Sequence, residues 1–156
     1  MCEEIRDTLI ETVSKNGGHL ASNLGAVELT VALHRVLDTP KDKIVWDVGH
    51  QTYVHKILTG RLGELNTLRQ KDGLCGFCNP LESEYDTSFT GHASASLSTA
   101  LGLVEARNIN KENYEVAAVI GDGSFAGGLS MEAINSIGNL KSKMLIILND
   151  NEMSIS

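Results

Sequence analysis

The chain has 156 residues, with 13 Lys and Arg against 20 Asp and Glu, and a formal charge of −7. That balance, with only 4% aromatic residues, speaks against a nucleic-acid surface, which needs cations for phosphates and rings for bases. The longest apolar runs, such as 144–148, fall far short of the roughly 20 residues that cross a bilayer, and the length and composition suit one globular domain.

From residue 2 to 15, Ile5, Leu9, Ile10 and Val13 recur at helical spacing until Asn16-Gly17-Gly18 stops the run. The same segment alternates acidic and apolar residues and lacks the basic-then-hydrophobic order of a signal peptide. Residues 24–37 read as a second helix, with Val27, Val31 and Leu33 on its apolar side and Pro40 just beyond its end. A short strand at 44–48 runs into Gly49-His50, and 51–68 reads as one or two short helices broken at Gly60 and Gly63. Residues 69–90 are irregular. A helix over 93–108 is rich in small residues, and Ala95, Ser98, Ala100 and Gly102 permit close approach of a neighbour. An apolar strand at 116–120, an amphipathic helix at 129–137 and a second apolar strand at 144–148 complete the pattern. Continuous apolar strands separated by helices specify an α/β fold, a parallel sheet with helices on both faces and right-handed crossovers.

Three cysteines are too few for a disulfide scaffold. Cys75-Gly76-Phe77-Cys78 has C-x-x-C spacing, but it lies in an irregular stretch and no second such pair completes a zinc site. It reads as two loop thiols in a reducing, cytoplasmic compartment.

Ligands on open parallel sheets sit at the carboxyl ends of the strands. Three ends therefore matter: Asp47-Val48-Gly49-His50, Gly121-Asp122-Gly123 and Asn149-Asp150-Asn151. In Gly121-Asp122-Gly123-Ser124 the glycines let the backbone approach a ligand, and the amides of Gly123 and Ser124 at a helix start favour an anion. Asp122 would repel that anion unless a divalent cation sits between them. Mg²⁺ suits the role, because it is held by one or two protein oxygens plus phosphate and water. Asn149 and Asn151 follow Asp122 by 27 and 29 residues, the length of one helix and one returning strand, and their oxygens add no repulsive charge. By itself Gly-Asp-Gly reads as a plain strand-to-helix turn. Its spacing to Gly127 does not fit the dinucleotide fingerprint.

His19, His50 and His92 each follow a glycine in an expected loop, where a ring can face a ligand. His34 falls in a helical run and reads as a packed or surface residue. His55, beside Lys56, reads as solvated, and Glu82, Glu84 and Asp86 read as a solvated acidic loop.

Gly-Asp-Gly followed by Asn at this distance resembles the thiamine diphosphate motif, and the resemblance extends along the chain. Gly18-His19-Leu20-Ala21-Ser22-Asn23-Leu24-Gly25, Trp46-Asp47-Val48-Gly49-His50-Gln51 and His55-Lys56-Ile57-Leu58-Thr59-Gly60-Arg61 carry it. So do Ser83-Glu84-Tyr85-Asp86, Gly91-His92-Ala93-Ser94 and Leu148-Asn149-Asp150-Asn151-Glu152-Met153-Ser154-Ile155-Ser156. Together they are similar to the diphosphate-binding N-terminal region of the 1-deoxy-D-xylulose-5-phosphate synthase family, transketolase-like enzymes of isoprenoid precursor synthesis. The resemblance implies a thiamine diphosphate-binding fold with Mg²⁺ on Asp122, Asn151 and the Met153 carbonyl. It places Gly123, Ser124, Asn151, His50 and the turn Gly91-His92-Ala93 against the cofactor, and His19 near the reacting carbon as a proton shuttle. Ala93 stands where the family often has Ser, so only a backbone contact carries over there.

The implied reaction condenses pyruvate with D-glyceraldehyde 3-phosphate, releasing CO₂. The implied partner is a pyrimidine-binding domain or chain carrying an activating glutamate, within a homodimer. The chain ends at Ser156, before any such domain, so a fragment, a truncated form and one half of a split enzyme are all open readings. An inactive cofactor-binding or regulatory module and a subunit of another transketolase-like enzyme are the alternatives.

Overall fold

A computed structural model describes residues 1–150. In chain order the elements are α1 (Cys2–Asn16), α2 (Leu20–Leu24), α3 (Val27–Val36), β1 (Lys43–Trp46) and α4 (Tyr53–Lys56). A π-helical turn (Ile57–Arg61) and a 3₁₀ segment (Leu62–Thr67) lead into a long irregular stretch. Then come α5 (Ser96–Asn110), β2 (Val116–Gly121), α6 (Asp122–Phe125), α7 (Gly128–Leu140) and β3 (Leu145–Asn149).

The strands form a parallel sheet in the order β1-β2-β3. Side chains alternate across it, as the period of two in a strand requires. Val45, Val116, Ala118 and Ile120 pack against Leu97, Ala100 and Val104 of α5 and Ala133 and Ile137 of α7. Ile44, Trp46, Ala117 and Val119 face the other way, onto Leu33 of α3 and Cys78 of the irregular stretch. Both faces are covered, which is why the middle strand reads as an unbroken apolar run. A third cluster joins Ile5, Leu9 and Val13 of α1 to Val27, Tyr53, Val54, Leu65 and Leu68. Arg107, buried near the end of α5, donates to the carbonyls of Tyr114 and Lys143 and ties that helix to the segments entering β2 and β3.

Two expected boundaries move. The helix expected over 24–37 begins only at Val27, as α3, because Gly25 ends the preceding short α2 and the Ala26 amide turns back onto the Asn23 carbonyl at 3.1 Å. The small-residue helix starts at Ser96 rather than at 93, because the Asp47 carboxylate takes the amides of Ser94 and Ser96 and holds 93–95 as a turn. Of the small residues on this helix, Ala100 is packed, whereas Ser98 and Gly102 are exposed.

Candidate functional site

The register brings the strand ends together. Trp46 pairs with Val119, and Gly121 with Asn149, so the segments after all three strands emerge at one end of the sheet. Gly121-Asp122-Gly123-Ser124 lies there, as its sequence indicates. The motif opens a helix there, as expected, and that helix, α6, is a single turn. The break has a physical cause. Ser94 and Ser130 donate their hydroxyls to the Ser124 carbonyl at 2.6 and 3.1 Å, which competes with a continuing helix. At Gly127 a Cβ would collide with the Ser94 side chain, so the chain can pass there only as glycine. Four residues sum to little dipole, and the opening amides of α6 lack intrahelical acceptors.

Asp122 is exposed, and its carboxylate has no hydrogen-bond or ion-pair partner among the described residues. A Cβ added at Gly123 would meet nothing within 4 Å, so the space before these amides is open. Asn151 and Met153, expected as metal ligands, lie outside the described residues. Among the described residues no cluster of three or more His, Cys, Asp or Glu is placed to hold a metal ion alone.

The turn Gly91-His92-Ala93 is brought to the same end by Asp47. Buried at 2% exposure just after β1, Asp47 accepts the Ser94 amide at 2.9 Å and the Ser96 amide at 3.0 Å. Ser94 in turn reaches Ser124, so the ends of β1 and β2 and this turn form one hydrogen-bonded unit. Gly91, His92 and Ala93 are exposed, and Gly91 has a φ of 139° that favours glycine. His92 makes no hydrogen bond among the described residues.

His19 and His50 come together. Their rings meet edge to face with centroids 5.4 Å apart, and Phe77 stands 5.7 Å from His19 on another side. The two loops are locked by Asn23, which is fully buried. Its Nδ2 donates to the His19 carbonyl at 2.7 Å and the His50 carbonyl at 2.8 Å, and its Oδ1 accepts the Tyr53 amide at 2.8 Å. The His50 loop is strained: Val48, a β-branched residue, has a φ of 58°. Burial lowers the pKa of both histidines, helped by Arg69 for His19 and by His19 for His50. His50 Nδ1 is a buried atom with no protein partner.

A second group of charges overturns two expectations. His55 is buried rather than solvated, and so are Lys56 and Asp86. The Asp86 carboxylate accepts Arg61 at 2.8 and 2.9 Å, the Asn79 amide at 2.8 Å and faces His55 Nε2 at 3.1 Å. Glu82 pairs with Lys56 and with Arg61, and takes the Cys75 amide at 2.7 Å. Only Glu84 of the acidic trio is exposed. These carboxylates anchor the loop that carries Phe77 to His19, so the acidic loop is structural and internal. His34, in α3, extends the chain through His55 at 2.8 Å.

The thiols of Cys75 and Cys78 are free, and burial pushes Cys78 up to about 12, opposite to the lowered pKa of a redox thiol. A cavity of about 450 Å³, lined by Val31, His34, Thr39, Thr59 and Tyr85 among others, holds none of the three glycine-loop histidines and not Asp122. The candidate site is an open ledge at the strand ends, not that cavity.

Asn23, Asp47, Tyr53, Phe77 and Ser94 carry the geometry of the ledge; of these only Asp47 stands out in the sequence, as part of a strand end, and none is assigned a role there. Their contacts span up to 58 residues, from His19 to Phe77, and leave no periodic trace. Asn23, Asp47 and Ser94 lie inside the stretches that carry the resemblance and Tyr53 lies between two of them, whereas Phe77 lies outside them all.

A family model described as 1-deoxy-D-xylulose-5-phosphate synthase matches residues 1–156. The chain belongs to the 1-deoxy-D-xylulose-5-phosphate synthase family. Synthases of that name from Alkaliphilus oremlandii, Dictyoglomus turgidum and Brevibacillus brevis are 61%, 58% and 58% identical over all 156 residues. Each match covers 25% of the relative, so the chain spans about a quarter of these synthases' length. Among solved structures, a transketolase from Leishmania mexicana aligns with a TM-score of 0.84 at 19% identity, over 99% of this chain and 28% of that one. A transketolase variant from Pichia stipitis gives 0.86 at 21% identity, over 98% of this chain and 27% of that one. The α/β fold of the synthase region is thus also that of the transketolases. No helix among the described residues is long and apolar enough to cross a membrane.

Proposed function

We propose that this chain supplies the Mg²⁺ and diphosphate half of a thiamine diphosphate-dependent synthase that joins pyruvate to D-glyceraldehyde 3-phosphate, releasing CO₂ and 1-deoxy-D-xylulose 5-phosphate. The observation that carries the reading is Asp122, an exposed carboxylate with no partner among the described residues, at the start of α6 where the strands end. Thiamine diphosphate, when bound, supplies the electron sink for decarboxylation and carbon–carbon bond formation.

In this reading Asp122, the Asn151 side chain and the Met153 carbonyl hold Mg²⁺, and the cation lets the phosphates approach an otherwise repelling carboxylate. The amides of Gly123 and Ser124 bind the diphosphate. The Gly91-His92-Ala93 turn closes on the cofactor through its backbone and the His92 ring, since Ala93 has no hydroxyl to offer. His50 offers its unpartnered Nδ1 as a polar contact. His19, its pKa lowered, is neutral near pH 7 and moves a proton at the reacting oxygen. The glutamate that activates the cofactor comes from a pyrimidine-binding domain or chain in a homodimer, outside residues 1–156. The free thiols agree with a cytoplasmic location.

The test is steady-state formation of 1-deoxy-D-xylulose 5-phosphate by the whole natural polypeptide with Mg²⁺, the cofactor and both substrates. Asp122→Ala should abolish it, and turnover at the wild-type rate in that variant would refute the site. Residues 1–156 alone should show no turnover near 1 s⁻¹, the low end of ordinary enzymes.

A further inference from the structure

We propose that Tyr53 is a positioning residue for His19, fixing the neutral imidazole as the form protonated at Nε2 and leaving that N–H as the donor available to a ligand. The Tyr53 hydroxyl lies 3.2 Å from His19 Nδ1 and 3.4 Å from the His19 backbone nitrogen. A backbone N–H can only donate, so the phenol oxygen accepts from it. The hydroxyl proton then needs an acceptor of its own. Among the described residues His19 Nδ1 is the one within reach. Were Nδ1 itself protonated, the oxygen would receive two N–H groups, and a hydroxyl in a fully buried tyrosine would keep a proton with nowhere to go.

The arrangement is built from several sides. The Tyr53 amide is held by Asn23 Oδ1 at 2.8 Å, so the ring starts from a fixed backbone. Gly18 has a φ of 145°, and a Cβ there would come within 2.9 Å of the Tyr53 hydroxyl. Only glycine lets the His19 loop close onto that oxygen. His50 and Phe77 bracket the imidazole with ring centroids at 5.4 and 5.7 Å, which limits its rotation. The charged and titratable groups facing it are Arg69 and His50, and neither favours a cationic His19. His19 Nε2 has no partner among the described residues, so the donor fixed by Tyr53 is the unused one.

The consequence for turnover rests on the reading of His19 as a group that faces the cofactor; the geometry does not. The test therefore uses neither cofactor nor substrate. Deuterium exchange at the histidine C2 positions, followed by mass spectrometry across pH in the whole natural polypeptide, gives the pKa of His19. A donor on Nδ1 stabilises the neutral ring, so Tyr53→Phe should raise that pKa by roughly half to one unit, the size of one hydrogen bond. Replacing Tyr85 and Tyr114 by Phe and incorporating 3-fluorotyrosine leaves Tyr53 as a stronger donor within residues 1–156, and should lower it. The opposite signs separate hydroxyl donation from general loosening of the loop. An unchanged or lowered pKa in Tyr53→Phe overturns the proposal. If that variant does not fold, the fluorotyrosine protein decides: a lowered His19 pKa supports the proposal, and an unchanged or raised one overturns it.

Discussion

Asp86 and Asp122 are both carboxylates in connecting segments, and the chain treats them in opposite ways. Asp86 is buried, receives Arg61 in a two-point contact, takes the Asn79 amide and faces His55. Asp122 is exposed, ends the central strand and has no partner among the described residues. A buried carboxylate without partners would be expelled or protonated, so the first arrangement is what burial demands. The second has no structural necessity. A carboxylate kept single beside open amides is free to take a cation, whereas a carboxylate already shared among Arg61, Asn79 and His55 is not.

The comparison breaks most visibly at Asp86. Asp86→Ala leaves Arg61, His55 and Lys56 with one fewer carboxylate in a dry site and should cost about 3–5 kcal/mol of stability in urea unfolding. A loss under about 1 kcal/mol would show that the cluster is more hydrated than described. Asn23→Ala comes next. It removes three buried hydrogen bonds and takes the Asn23 partner from the His50 carbonyl and the Tyr53 amide, for a loss of roughly 2–4 kcal/mol. It should also loosen His19 against His50, read as faster amide exchange in both loops.

Acid separates the two regions in a smaller, graded way. Burial and the neighbouring His55 lower His34 to about 4, below its ordinary value near 6.5. A histidine whose folded pKa is depressed binds its proton more readily when unfolded, so stability falls as pH drops from about 6.5 to about 4. His34→Gln should flatten that slope in thermal unfolding, and an unaltered slope would assign it elsewhere. The hydrogen bonds to Asp86 hold its carboxyl below the usual range, so its contribution is present above about 4 and is lost only at still lower pH. The smallest change is expected at the ledge: Asp122→Ala should alter stability by less than about 0.5 kcal/mol, since its exposed carboxylate has no partner among the described residues.

Much of this was legible in the residues. Continuous apolar strands named the sheet, and Gly-Asp-Gly at a strand end named the ledge, because local pattern and strand polarity determine both. What stayed hidden was burial of charge. His55-Lys56 and the Glu82, Asp86 pair look solvated when read along the chain, and their burial depends on meeting across 26 to 31 residues. The late start of α5 has the same origin. Asn23 and Asp47 spend their side chains on distant backbone, which periodicity does not encode.

The central claim is that Asp122 is kept single for Mg²⁺ and a diphosphate. Calorimetry on the whole natural polypeptide tests it directly, comparing Mg²⁺-dependent thiamine diphosphate binding in the wild type, Asp122→Ala and Glu84→Ala, an exposed acid away from the ledge. The account predicts that binding is lost in Asp122→Ala and unchanged in Glu84→Ala. Equal affinity in the wild type and Asp122→Ala would contradict it.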